Sequence, residues 1–380
     1  MVAPMDRLRT CASAAKTWLF DRAAGCWLET GWRPSGMFAE RLDAEGVAEE
    51  CPHRLFVQAR QIYAFCELGR LGWTGEWRSR VEMALAHLLE KGRRADGFFV
   101  FSFSPDGEPL DARADLYAHA FVLFCLGHAA DALKRADLLD QADELATLGE
   151  MKWRHPLGGF YEGEIAGPPR RQNPHMHMLE AATILWQISG GQRWKRLVDE
   201  LTGLCFARFI DADTGALTEY FNSDWSKLGD GSGHRVEPGH CFEWAWLIES
   251  LHRCADVAIE PANRLVSFAR SHGLCPRRGI AMNEVDLEGN VVDGRGRLWP
   301  QTERLKAALV RWRRTGATEE AEEAANAYAG LAKYLDDPRA NLWRDKLLSD
   351  GTWLNEPSPA SSFYHIVCGM SELIRTAGPS

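Results

Sequence analysis

The sequence predicts an all-α protein, an (α/α)6 barrel of six inner and six outer helices, from three observations. About twelve helical stretches follow one another along the 380 residues. Short and long connections alternate between them. Helices that are apolar nearly all round also alternate with helices that have one charged face. Because this alternation runs through the whole chain, we expect one catalytic domain, residues 1–380, without an internal boundary.

Each helix is placed by its apolar period, its capping residues and the Gly or Pro near its ends. The next helix follows each even-numbered one within a few residues, across linkers such as GWTGE, KRAD, SGGQ and TGATEE. Before each even-numbered helix the loop is about 20 to 30 residues long, far above the usual median. The predicted ranges are 5–19, 50–71, 75–92, 115–131, 134–150, 173–189, 191–209, 239–254, 259–273, 301–315, 318–335 and 361–376.

The composition of the helices assigns them to two layers. Helices 75–92 and 318–335 each have a charged face and an apolar face, which is typical of an outer layer, whereas helix 115–131 is apolar nearly all round and belongs inside. The even-numbered helices are therefore the inner ones. Inner helices in such a chain run parallel, so the long loops should meet at one end of the barrel. These loops contain hairpin-like stretches such as GFFVFSFSPDGEPL and GIAMNEVDLEGNVV.

Charge and composition exclude several classes of function. A net charge of -9 argues against a nucleic-acid or anionic-membrane partner. No stretch approaches a membrane span, and the N-terminus lacks the apolar core of a signal peptide. The ten cysteines are scattered without a CxxC pair, as expected for reduced thiols in a cytoplasmic protein. We expect a monomer or homodimer.

Polar side chains interrupt the apolar inner helices mostly in their first turns. Parallel helices begin at the same end, so we expect a buried site where the long loops meet. Converging helix N-termini would favour neutral imidazole and a developing oxyanion there. The polar residues, in helix order, are Arg54, Gln58 and Arg60; Tyr117 and His119; Asn173, His177 and Glu180; His240 and Glu243; Trp299, Gln301 and Glu303; and His365.

Some of these residues have a structural interpretation beside the functional one. A single core histidine is usually a hydrogen-bonded structural group, and we leave His119 out of the site for that reason. His177 is preferred to His175, which points roughly 200° away, because Glu180 follows His177 by three residues on one face. Arg60 on an apolar helix needs a carboxylate or a substrate oxygen. Tyr117 and Trp299 fit the core as well as a sugar platform.

The motifs favour acid–base chemistry by histidine. His177–Glu180 and His240–Glu243 have a spacing that metal ligands can use, but HExxH and Cys/His knuckles are absent, so we predict no metal and no cofactor. Phosphate-binding glycine loops and GxSxG are absent too. His240 and His365, from inner helices eight and twelve, are expected to face each other across the barrel end. They would move a proton at a carbon next to a carbonyl.

Six stretches taken together resemble the N-acylglucosamine 2-epimerase superfamily and, within it, the mannose isomerase-like branch. They are QARQIYAF, DLYAHAF, NPHMHMLEA, EPGHCFEWAW, RLWPQTERLKAA and SSFYHIV, and the resemblance runs from about residue 50 to 370. It implies an (α/α)6 barrel and cofactor-free sugar chemistry through a cis-enediol. By resemblance, the catalytic pair is His240 and His365, and the third site histidine is His177. The sugar contacts implied are Arg60, Tyr117, Asn173, Glu243 and Trp299.

Two further roles come from position on the helices. Glu180, on the face of His177, is added as a substrate-binding residue. Glu243, one turn after His240, is expected either to orient that histidine or to hold a sugar hydroxyl.

The resemblance implies an aldose–ketose isomerase that interconverts D-mannose and D-fructose. A 2-epimerase, of the mannose/glucose or N-acylglucosamine type, would use the same enediol and return the proton to C2. A phosphorylated or sulfonated hexose is another alternative, whose anion Arg170 and Arg171 could hold. A non-catalytic carbohydrate-binding barrel would show no turnover. A glycoside hydrolase or lyase on this barrel would need two carboxylates facing each other at its mouth.

Overall fold

The computed structural model describes residues 4–164, 167–229, 231–337 and 341–378. Helices dominate these residues, and the strands are two or three residues long. The helices are α1 Pro4–Trp18, α2 Ala24–Glu29, α3 Leu55–Arg70, α4 Trp77–Lys91, α5 Leu116–Leu133, α6 Asp137–Trp153, α7 Asn173–Ser189, α8 Gln192–Leu204, α9 Pro238–His252, α10 Glu260–His272, α11 Trp299–Thr315, α12 Thr318–Leu335 and α13 Ala360–Ala377.

All twelve predicted helices are present, and with the π-helical turn Cys205–Phe209 counted with α8, the ends of ten lie within three residues of the prediction, whereas the first two differ by more. The first predicted helix continues from α1 through a π-helical turn, Leu19–Ala23, into α2 and ends at Glu29. The second was predicted to begin at residue 50 but begins at Leu55. The reason is Pro52, because a residue before proline is pushed out of the helical region, and the chain forms a short strand there first.

The inner helices α3, α5, α7, α9, α11 and α13 form a closed ring in which each contacts its two neighbours. Helices α4, α6, α8, α10 and α12 each pack on the inner helix that precedes them, and α1 packs on α13 and α12. This confirms the predicted (α/α)6 barrel. Helix α5 is long and apolar enough to cross a membrane, but its place is in this ring, where most of it is buried.

Strands in the long loops join neighbouring loops into small antiparallel sheets. Strand β1 pairs with β14, Arg41 opposite Pro359, and so connects the first long loop to the last. The strands are β1 Arg41–Leu42, β2 His53–Arg54, β3 Ser102–Phe103, β4 Pro109–Asp111, β5 Arg170–Arg171, β6 Tyr220–Phe221, β7 Arg235–Val236, β8 Leu274–Cys275, β9 Ile280–Ala281, β10 Glu284–Asp286, β11 Val291–Asp293, β12 Gly296–Arg297, β13 Lys346–Leu347 and β14 Ser358–Pro359.

Four inner helices carry a buried side chain that accepts a hydrogen bond from the backbone of the preceding loop. We call these side chains latch residues. The donor–acceptor distances run from 2.8 to 3.1 Å, and each bond fixes a loop against the start of a helix. His119 is thus the structural histidine that the sequence predicted. The pairs are Gln58–Phe38, His119–Phe99, His175–Phe160 and Gln301–Ala281.

Candidate active site

A cavity of about 140 Å³ lies at the end of the barrel where the inner helices begin. The cavity is small and its wall is mostly polar, so it suits one small polar molecule. Every inner helix contributes to its wall, and eight of the nine predicted site residues line it. The lining residues are Arg60, Tyr117, Asn173, His177, Glu237, His240, Glu243, Arg297, Trp299 and His365.

Each of the three cavity histidines donates from Nδ1 to a buried carboxylate. This bond fixes the orientation of each ring, and in His177 and His365 it leaves Nε2 for a ligand in the cavity. The helices bring two of the carboxylates to the histidines, and a loop brings the third. The pairs are His177–Glu180 at 3.1 Å, His240–Glu219 at 3.0 Å and His365–Glu303 at 2.9 Å.

Of the two roles predicted for Glu243, orienting His240 belongs instead to Glu219, which lies in the loop before β6. Both carboxylate oxygens of Glu219 lie 3.0 Å from His240 Nδ1. Glu243 Oε1 has no hydrogen-bond partner among the described residues. Burial and the neighbouring Glu303 raise the pKa of Glu243 well above its usual value, which favours its neutral form. It faces the cavity as a group that can donate to or accept from a hydroxyl.

Glu180 does not line the cavity. It lies behind His177, and its carboxylate also accepts a hydrogen bond from the Tyr364 hydroxyl at 2.7 Å. The i, i+3 spacing was therefore a sound indication of contact with His177, but the carboxylate supports the histidine instead of reaching into the cavity.

His240 is surrounded by carboxylates. Glu237 Oε2 lies 3.9 Å from Nδ1, in addition to Glu219. Although burial alone would lower it, the charges of Glu219 and Glu237 raise the pKa of His240 to about 10. The ring is therefore an imidazolium at neutral pH. Its Nε2 lies 3.1 Å from Nδ2 of Asn173. Because both of these atoms are donors when the ring is protonated, the amide turns so that its oxygen, which has no other hydrogen-bond partner among the described residues, accepts from the imidazolium.

His365 differs from His240 in its charge state. The second oxygen of its partner Glu303 lies 2.6 Å from the ammonium of Lys306, and both side chains are fully buried. Burial, with the positive charges of Arg60 and Lys306, lowers the pKa of His365 well below its usual value. Burial also lowers the pKa of His177 to about 4. These two rings are therefore neutral at pH 7.

Trp299 lies between the two histidines of the predicted catalytic pair. Its ring centroid is 4.8 Å from that of His240 and 5.6 Å from that of His365. The reason is helix order, because α11 carries Trp299 and stands between α9 and α13 in the ring. The two histidines thus flank one indole instead of facing each other from opposite sides of the barrel.

Arg60 has no carboxylate partner among the described residues. Its Nη2 donates to the Tyr117 hydroxyl at 2.7 Å, and the guanidinium lies 4.1 Å from the centroid of Phe121 and 4.8 Å from that of Tyr364. Its buried Nε has no hydrogen-bond acceptor. Of the two partners that the sequence suggested, a substrate oxygen is therefore the one that the cavity leaves room for.

Arg170 and Arg171 lie outside the cavity and cannot hold an anion in it. Arg171 is paired with Glu162 at 2.7 Å, and Arg170 donates to the Phe160 carbonyl at 3.0 Å. Arg297 is the second guanidinium of the cavity lining. Its nearest ion-pair partner, Asp345, is 4.0 Å away, and 45% of its side chain is exposed.

Comparison with known proteins shows the family of this chain. A family model described as N-acylglucosamine 2-epimerase matches residues 36–369. The chain belongs to this family. It is 39% identical over 369 residues to a mannose-6-phosphate isomerase of Rhizobium meliloti, with 94% of this chain and 95% of the relative covered.

More distant similarities are found to one further sequence and, at the level of the fold, to a solved structure. A cellobiose 2-epimerase of Bacteroides fragilis is 24% identical, with 87% of this chain and 88% of the relative covered. The solved structure titled D-mannose isomerase superposes with a TM-score of 0.87 at 18% identity, with 97% of this chain and 98% of that chain covered. The family's enzymes are sugar isomerases and epimerases, and this chain is one of them.

Among the residues that the structure describes, three sets of side chains bring possible metal-ligand atoms within 4.8 Å of one another. In one of them, Glu243–Glu303–His365, the ammonium of Lys306 already supplies a positive charge 2.6 Å from Glu303. The other sets are His177–Glu180–Glu243 and Glu219–Glu237–His240. Each set contains a histidine that is hydrogen-bonded to its carboxylate, so these groups are engaged with each other.

Four residues of the site were missed from the sequence. Glu219 precedes a two-residue strand, where no helical period places a side chain, so its meeting with His240 needed the fold. Glu237 and Arg297 come from loop residues next to α9 and α11 and reach the cavity from there. Lys306 did leave a signal, because it follows Glu303 by three residues on the same face of α11.

Proposed function

We propose that this chain is an aldose–ketose isomerase that interconverts D-mannose and D-fructose through a cis-enediol, with its own side chains and no cofactor. One observation carries the proposal: a small polar cavity is lined by a neutral histidine, His365, and a protonated one, His240. An enediol mechanism needs a base for the proton at C2 and an acid for the carbonyl oxygen at C1.

In the first half of the reaction, His365 Nε2 takes the proton from C2 of the open-chain aldose. The electron pair of the C2–H bond becomes the C1–C2 double bond, and the carbonyl oxygen takes a proton from the imidazolium of His240. In the second half, His240 recovers a proton from the C2 hydroxyl and His365 returns one to C1. Both histidines end in their starting states.

The remaining lining residues hold the sugar. The guanidinium of Arg60, held by Tyr117, faces oxygens that gain charge during enolisation. The carboxyl of Glu243 and the amide of Asn173 suit hydroxyls, and the indole of Trp299 offers an apolar face. His177, supported by Glu180, is a neutral imidazole that can exchange a proton with a ring oxygen.

A phosphorylated hexose is the second candidate substrate. The exposed Arg297 at the cavity, without a close ion-pair partner, could hold a phosphate. The relative that is 39% identical is named for mannose 6-phosphate. We also propose a cytoplasmic enzyme, because all ten cysteines are free thiols.

The test is incubation with D-mannose, D-fructose, D-glucose, N-acetylmannosamine and mannose 6-phosphate, followed by chromatography of the products. We expect fructose from mannose and mannose from fructose, unchanged after dialysis against EDTA. Glucose or N-acetylglucosamine without a ketose would identify a 2-epimerase, and turnover of the phosphate ester alone would favour the second candidate. Loss of activity with EDTA that one divalent ion restores would contradict cofactor-free catalysis.

A further inference from the structure

Lys306 is a fully buried cation in the middle of the barrel. Its Nζ lies 2.6 Å from Glu303 Oε2, 3.6 Å from Cys368 Sγ and 3.8 Å from the ring centroid of Trp246. Trp246 and Cys368 line a second cavity of about 480 Å³, where the inner helices end. Lys306 lines neither cavity, so it belongs to the layer that separates the two. A buried ammonium is costly unless it is paired, and here its partner is Glu303.

Lys306 is connected to the proposed base through this partner. Glu303 Oε1 accepts the hydrogen bond from His365 Nδ1 at 2.9 Å, while Oε2 faces the ammonium. Lys306, Glu303 and His365 therefore form a continuous chain of contacts from the middle of the barrel to the cavity. Only His365 reaches the cavity.

Charged and titratable groups from four helices face this chain of contacts. Arg60 comes from α3, His177 and Glu180 from α7, Glu243 from α9, and Cys368 from α13 with His365 itself. Arg60 and Lys306 both oppose a positive charge on His365. Of these two cations, only Lys306 forms an ion pair with the carboxylate that holds the ring.

The other histidine of the pair shows what happens without such a cation. Glu219, the partner of His240, receives a hydrogen bond from the Gln172 amide at 2.9 Å, and no Lys or Arg forms an ion pair with it among the described residues. Its charge therefore acts on His240 without an ammonium to offset it.

We propose that Lys306 is a positioning residue that offsets the charge of Glu303 and thereby keeps His365 a neutral base. The inference rests on the proposed role of His365 in the reaction. Removing the ammonium leaves the full charge of Glu303 on His365. A nearby charge typically moves a pKa by about 1–3 units, so the ring should then take up a proton at higher pH than in the unmodified chain.

The experiment follows the ionisation of His365 by NMR of the full chain with ¹⁵N-labelled histidine side chains. The chain has 12 histidines, and the His365 signal is assigned by its absence in His365→Gln. The variants are Lys306→Met and the double variant Lys306→Met with Glu303→Gln. Arg304→Met is the matched control, because Arg304, two residues before Lys306 on α11, forms an ion pair at 2.6 Å with Glu323 of α12.

In the unmodified chain and in Arg304→Met, His365 should stay neutral from about pH 6 to 8. In Lys306→Met the pH at which His365 takes up a proton should rise by about 1–3 units, and the acidic limb of kcat/KM should move up with it. The double variant should return toward the unmodified chain. A folded Lys306→Met with unchanged ionisation of His365 and an unchanged pH profile would overturn the proposal.

If Lys306→Met does not fold, the double variant is compared with Glu303→Gln alone. His365 should have the higher pKa in the double variant, because the single variant keeps an unpaired ammonium beside the ring. Equal pKa values would contradict the proposal. If the unmodified chain turns over none of the sugars, the proposed function fails, but the NMR titration still decides the role of Lys306.

Discussion

His240 and His365, the two histidines beside Trp299, have the same local geometry but different charge states, because His240 is protonated and His365 is neutral. In each, Nδ1 donates to a buried carboxylate at about the same distance, 3.0 Å for His240 and 2.9 Å for His365. The difference lies one contact further out. Glu303 is paired with the ammonium of Lys306, whereas the carboxylate beside His240 is joined by a second one, Glu237.

We infer from this difference that the group paired with the carboxylate contributes to the charge of the histidine beside it, together with burial and the other nearby charges. A carboxylate whose charge is offset orients the ring without attracting a proton to it, and a carboxylate whose charge is not offset does both. An acid and a base can therefore be built from the same pair of residue types in one cavity. Substitution of the two rings, of the guanidinium of Arg60 or of the carboxylates tests this difference.

The largest effect is expected from removing either ring. His240→Gln and His365→Gln should each lower kcat/KM by about 10²–10⁴-fold, since neither ring can act for the other when their charge states differ. Steady-state kinetics with mannose measures the loss, and His119→Gln, on inner helix α5 and outside the cavity lining, is the control. Turnover within a few-fold of normal in His365→Gln would remove the two-histidine mechanism.

Arg60→Ala is expected to come next. Loss of a donor to a developing oxyanion typically costs about 10²–10³-fold in rate. Circular dichroism should show a folded barrel, because Arg60 has no carboxylate partner that would be left unpaired. Arg54→Ala is the matched control, since Arg54 is held by Glu40 outside the cavity. If Arg60→Ala unfolds while Arg54→Ala does not, the guanidinium is structural.

A smaller effect should follow from Glu219→Gln, and it should appear in the pH profile. The carboxylates raise the pKa of His240 to about 10, so the acid form is lost only as the pH rises through that value. Without the charge of Glu219 the pKa falls, and the basic limb of kcat/KM should move down by about 1–3 pH units. Glu303→Gln is the contrast, because it should leave the basic limb in place. A basic limb that does not move in Glu219→Gln would contradict the assignment of His240 as the acid.

The smallest effect on activity is expected at a latch residue. His119→Ala leaves the buried amide of Phe99 without its acceptor, which should lower the free energy of unfolding by about 1–3 kcal/mol. The kcat should stay within a few-fold of normal, because His119 does not line the cavity. Denaturant unfolding and kinetics of the same preparation measure both. A large loss of kcat in a stable His119→Ala would bring this histidine into the site.

The sequence predicted the barrel well because its signal is local and repeated. Helical period and loop length recur through the whole chain, and the first turns of parallel helices must meet, which placed Arg60, His240 and His365 together. It could not predict the pairing of His240 with Glu219, 21 residues away on a loop without periodicity. The charge states of His240 and His365 could not be predicted either, because they depend on the groups that surround their carboxylate partners.

In the proposed reaction, His365 moves the carbon-bound proton and His240 moves the oxygen-bound one. The most direct measurement is the exchange of carbon-bound hydrogen in D₂O, followed by NMR of the sugars with the unmodified chain and the two single variants. We predict deuterium at C1 of fructose with the unmodified chain, slow residual exchange with His240→Gln, and no exchange with His365→Gln. Exchange that persists in His365→Gln and disappears in His240→Gln would contradict it.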